Sequence, residues 1–156
     1  MTETKTASDF TYMEDLKVGQ KFTAGPLKVT AEDIIAFAKQ FDPQPFHLDA
    51  EAAKQTPFGE LVASGWHTAS MTMRMIVDSS PNMEGGMIGR SVERLNWLRA
   101  VKPGDTLSFE AEIIEMRGSG SDPSRGIMRI HNTTSNQNGE AVLTMESIVF
   151  VPRRPK

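Results

Sequence analysis

The second half of the chain alternates. Leu107, Phe109, Ala111 and Ile113 are apolar, and Ser108, Glu110 and Glu112 between them are polar. A period of two sends successive side chains to opposite faces, so this stretch reads as a strand with one dry and one wet side. Strands are predicted in the same way over Ile127 to Thr134 and Ala141 to Val151, with Asn138-Gly139 between them as a hairpin signal. Arg94 to Leu98 alternates around Leu95 and Trp97. Val101-Lys102-Pro103-Gly104-Asp105 reads as a turn, and the Gly/Ser-rich residues 117–126 as a loop.

The first half has a different period. Ile34, Phe37, Ala38 and Phe41 recur at helical spacing, behind Thr30 as a cap with Asp33 three residues on. Pro43 ends this helix, because a residue before proline avoids the helical region. Phe22 to Val29 reads as a strand, with Gly25 and Pro26 marking an edge or a bulge. Asp49 reads as the N-cap of a short helix through Gln55, closed by Thr56-Pro57-Phe58-Gly59. Ser64 to Asp78 fits two patterns. Thr68, Ser70 and Thr72 alternate with Ala69, Met71 and Met73, as in a strand. Alanine and methionine nevertheless favour helices, and a buried helix need not show a stripe, so a buried helix is the preferred reading. A helix-rich stretch followed by an antiparallel meander is an α+β pattern.

Composition narrows the class. The chain has 156 residues, 38% hydrophobic and 24% charged, as expected of one globular domain over residues 11–156 behind a flexible tail, 1–10. The formal net charge of -3 suggests no nucleic-acid partner. The absence of cysteine excludes disulfides and thiolate chemistry. The polar N-terminus does not resemble a secretory signal, and no apolar run is long enough to cross a bilayer, so a cytoplasmic protein without a membrane partner is expected.

Candidate chemistry lies in Phe41-Asp42-Pro43-Gln44-Pro45-Phe46-His47-Leu48-Asp49. The two prolines are expected to fix a stiff, non-helical path that holds Asp42 and His47 toward one cavity. A carboxylate and an imidazole aimed at one water can activate it and return its proton elsewhere. The same residues also fit a helix cap plus a structural histidine. A second feature runs from Phe58-Gly59 to Ser64-Gly65-Trp66-His67. A glycine opening a helix lets a ligand approach free N–H groups that bind developing negative charge; it can equally serve turn geometry alone. Ser64 is not in a nucleophile elbow. Met71, Met73 and Met75 read as core filler that could also line an acyl pocket. His67 and His131 lack metal-ligand spacing and read as structural or surface residues, and no metal site is expected.

These features resemble the MaoC-like dehydratases, the (R)-specific enoyl-CoA hydratase group of the hot-dog superfamily. The resemblance begins at Asp15-Leu16-Lys17-Val18-Gly19-Gln20-Lys21-Phe22 and runs to Val101-Lys102-Pro103-Gly104-Asp105-Thr106-Leu107. The family's motif is Asp-x-Asn-Pro-x-His; Asp42, Pro45 and His47 match it, and Gln44 stands at the Asn position. Many members have His where Ser64 stands. Some have a serine in the following helix that supports the Asp, and Met73 is nearest that position, with Thr72 adjacent. The resemblance implies a curved antiparallel sheet around a long central helix, Ser64 to Asp78. It implies reversible hydration of a 2-enoyl thioester, with Asp42 and His47 as the acid/base pair. Gly65 would bind the oxyanion, and Ser64, Phe58, Gly59 and Trp66 would help bind substrate. It implies an acyl-CoA substrate, no separate cofactor, and a homodimer or larger homo-oligomer. Rival readings are a hot-dog thioesterase, disfavoured because Trp66 to Val77 carries no Asp or Glu, and a non-catalytic acyl-thioester-binding protein.

Overall fold

In the computed structural model, which describes residues 9–156, the chain is built around one antiparallel sheet. Strand β1 (Lys21–Lys28) is followed by helices α1 (Ala31–Phe41), α2 (Pro45–Leu48), α3 (Ala50–Ala53) and α4 (Gly65–Ser79). Strands β2 (Ile88–Trp97), β3 (Thr106–Gly118), β4 (Arg125–Ser135) and β5 (Ala141–Pro152) complete it. The sheet has five strands in the order β1-β3-β4-β5-β2, so β1 and β2 are its edges. Alternation explains the core: Met128, Ile130, Asn132 and Thr134 of β4 are buried on one face, with Met145 and Val149 of β5 beside them. Helix α4 lies across this concave face and buries Met71 and Met75 into the core cluster. The Thr72 hydroxyl, 2.7 Å from that of Thr134, ties α4 to β4. This is the hot-dog arrangement, a curved sheet around a central helix.

Several boundaries differ from the sequence reading. Strand β2 begins at Ile88 rather than near Arg94. It is exposed along almost its whole length, so no burial pattern marked its first half. The expected 117–126 loop shrinks, because β3 runs to Gly118 and β4 begins at Arg125. The interruption at Gly25-Pro26 is a register shift against β3, between Ala24 and Leu27. A Cβ on Gly25 would stand 2.7 Å from the Leu107 carbonyl oxygen, so glycine is required there. Phe41, expected on the apolar face of α1, is 64% exposed, while Ile34 and Ala38 are fully buried. Most of the expected tail, residues 1–10, lies outside the described residues.

Candidate active site

The site is assembled where α1 ends. Asp42 caps the C-terminus of α1, its N–H donating to Ala38 O at 2.9 Å. Pro43 prevents continuation. In place of the expected stiff, non-helical path, Pro45 opens the single-turn helix α2 at its first position. Proline suits that position because its φ is preset and its missing N–H would have no helical partner. The turn carries His47 back toward Asp42. Asp49 then caps α3, its Oδ1 accepting from the N–H groups of Glu51 and Ala52.

His47 is 5% exposed and held at both ends of its ring. Its Nδ1 donates to the Val62 carbonyl at 2.7 Å, and Val62 N–H donates to Phe46 O at 2.9 Å. A carbonyl oxygen can only accept, so Nδ1 carries a hydrogen, and whenever the ring is neutral its lone pair is on Nε2. That Nε2 faces Asp42 Oδ2 at 3.3 Å. The same Oδ2 accepts the Ser64 hydroxyl at 2.7 Å, and Oδ1 accepts Gln44 Nε2 at 2.5 Å. Burial raises the pKa of the Asp42 carboxyl. The hydrogen bonds from Gln44 and Ser64 and the nearby His47 outweigh burial and hold it below the usual aspartate value.

Ser64 is fully buried behind the carboxylate and is not among the residues lining the cleft in front of it. Its Oγ gives its hydrogen to Asp42 and accepts the Trp66 N–H at 3.3 Å, capping α4. Support for the carboxylate therefore comes from the cap of α4 rather than from the neighbourhood of Met73. Gln44, which the motif marks only as a departure, supplies the second bond. Its spacing two residues from the Asp was the available signal.

An open cleft of about 540 Å³ lies in front of the pair. Asp42, Phe46, His47, Phe58, Gly65, Trp66, Thr68 and Trp97 are among its lining residues. Phe46 and Phe58 form one wall, with ring centroids 5.1 Å apart. Gly59 does not line it; at φ 71 it makes the turn after Phe58. The space beside Gly65 is already filled: a Cβ there would stand 2.6 Å from the Trp97 ring, whose Nε1 donates to Gly65 O at 2.7 Å. Trp97 also meets Trp66 edge to face at 5.2 Å, a contact the strand assignment of Trp97 did not anticipate. His67 is buried and stacked on Phe37 at 4.8 Å. Burial pushes its pKa down against the opposing charge of Asp33. It sits away from the cleft as a structural residue.

Residues 15–135 match the MaoC like domain family. The chain belongs to the MaoC-like dehydratases. The crystal structure of a MaoC-like dehydratase from Rhodospirillum rubrum superposes with a TM-score of 0.87 at 45% identity, covering 94% of this chain and 99% of that one. The (R)-hydratase PhaJ1 of Pseudomonas aeruginosa gives a TM-score of 0.72 at 29% identity, covering 92% and 86%. In sequence, the 3-hydroxybutyryl-CoA dehydratase of Methylorubrum extorquens is 30% identical over 144 residues, 92% of this chain and 85% of the relative. Membership in this family supports a hydro-lyase role. No helix among the described residues is long and apolar enough to cross a membrane.

Proposed function

We propose that this MaoC-like protein reversibly hydrates a 2-enoyl thioester of coenzyme A to the 3-hydroxyacyl thioester. The observation that carries this is the convergence of two acceptors, His47 Nε2 and Asp42 Oδ2, 3.3 Å apart at the wall of an open cleft. One water donating a hydrogen to each leaves an oxygen lone pair directed into the cleft. As that oxygen bonds C3, the C2–C3 π electrons move toward the thioester oxygen. The water gives one proton to His47, because an imidazole is a better base than a carboxylate held below its usual range. Asp42 stays ionised and stabilises the imidazolium. The same proton then passes to C2, and the enolate collapses to the hydroxyacyl product. The Gly65 N–H at the start of α4 is the donor assigned to the enolate oxygen, aided by the helix dipole. We further propose that the active species is a cytoplasmic homodimer.

The test is an absorbance assay with a panel of enoyl-CoAs. Asp42→Asn and His47→Gln should each lower kcat by on the order of 10²–10⁴-fold. The double variant should fall little further than the worse single, because the two act as a unit. CoA release from saturated acyl-CoA without hydration, or an undiminished rate in folded Asp42→Asn, would overturn the proposal.

A further inference from the structure

A second chamber of about 500 Å³ lies under the C-terminal half of α4, on the concave side of the sheet. Its surface is mainly apolar, with Phe22, Ile76, Met83, Met128 and Val149 among its walls and no charged side chain among the described residues. Asn132 and Ser147 interrupt that surface from the sheet, 1% and 9% exposed. Asn132 Nδ2 donates to Ser147 Oγ at 2.9 Å and to the carbonyls of Ile130 at 3.2 Å and Met145 at 3.4 Å. These acceptors fix which end of the amide is nitrogen. All three of these bonds use Nδ2, and none of them occupies Oδ1. Ser147, having accepted, still has its own hydroxyl hydrogen to give. Asn82, in the loop after α4, lines the same chamber, and its buried Nδ2 has no partner among the described residues. Buried polar groups cost stability unless paired, so this set calls for a ligand group that both accepts and donates.

The chamber and the reactive cleft lie toward opposite ends of α4. Thr68 of α4 lines the cleft, and Ile76 lines the chamber. At about 1.5 Å rise per residue they lie about 12 Å apart along the helix axis. Strand β2 likewise has Trp97 at the cleft and Gly89 and Ser91 at the chamber. We propose that the chamber receives the tail of the enoyl thioester and selects tails carrying a neutral hydroxyl or keto oxygen; this rests on the hydratase reading above. A charged tail is disfavoured, because it would lose its hydration with no counter-charge in the lining.

Three medium-chain 2-enoyl-CoAs of equal length test this, with tails ending in methyl, hydroxyl and carboxylate. The hydroxyl tail should exceed the methyl tail in kcat/KM by roughly tenfold, as one well-made hydrogen bond gives, and the carboxylate should be poorest. Ser147→Ala and Asn82→Ala should each shrink the hydroxyl-to-methyl ratio. A ratio cancels any general loss of activity or folding. Equal rates for the two tails, or a ratio unmoved by both substitutions, would overturn the proposal. If none of the three is hydrated, the hydratase reading fails separately. The chamber is then judged by calorimetric Kd values for the matching saturated acyl-CoAs, with the same ratio and the same variants.

Discussion

At the scale of single residues, the site is organised around what Asp42 accepts. Gln44 and Ser64 each give it a hydrogen bond, and together they keep a partly buried carboxyl ionised. Removing either donor lets burial weigh more, so the Asp42 pKa should rise in Gln44→Met and in Ser64→Ala. The sign for stability comes from linkage. A depressed carboxyl contributes stability above its unfolded value, and loses it as pH falls through the folded value. Both variants should therefore begin acid unfolding at a higher pH than wild type, and the Asp42 carboxyl carbon should titrate higher by NMR. Ser64→Ala also loses a helix cap, typically about 0.5–2 kcal/mol at any pH. Gln44 is exposed, so Gln44→Met isolates the electrostatic part. An unchanged carboxyl titration in that variant would remove Gln44 from this role.

At the scale of elements, long features were legible and short ones were not. Strands β3, β4 and β5 and helix α1 repeat their period often enough to be read. The four residues of α2 cannot show a period, yet that turn brings His47 to Asp42. Helix α4 resisted periodicity for another reason. Its hydroxyls bond back to its own backbone: Thr68 to Ser64 O, Ser70 to Trp66 O and Thr72 to Thr68 O. Self-satisfied threonines can face the core, so polarity stops reporting burial. It was the family resemblance that separated helix from strand there. The contact between α4 and β2 was also illegible, because it joins Gly65 to a tryptophan far along the chain. Gly65→Ala should destabilise by about 1–3 kcal/mol through overpacking against that ring. In a Trp97→Leu background most of that cost should vanish, as a double-mutant cycle by denaturant unfolding can measure. Equal costs in both backgrounds would mean that Trp97 is not the obstacle.

At the scale of the whole molecule, the two sheet edges differ. The β1 edge carries exposed Lys21 and Lys28, the kind of charge that discourages strand addition. The β2 edge instead exposes Ile88 and Val92, each more than half open. The proposed two-fold partner, meeting this edge of the sheet, would cover them. Val92→Glu should convert a sedimenting dimer to monomer at micromolar concentration; a wild type that is already monomeric and fully active would refute the assembly. The paired indoles have a different consequence. Trp66 and Trp97 are the chain's only tryptophans, and they touch each other at the cleft. Indole emission from this protein therefore originates at one place. It reports the polarity and occupancy of the cleft, while the distant end of the sheet stays optically silent.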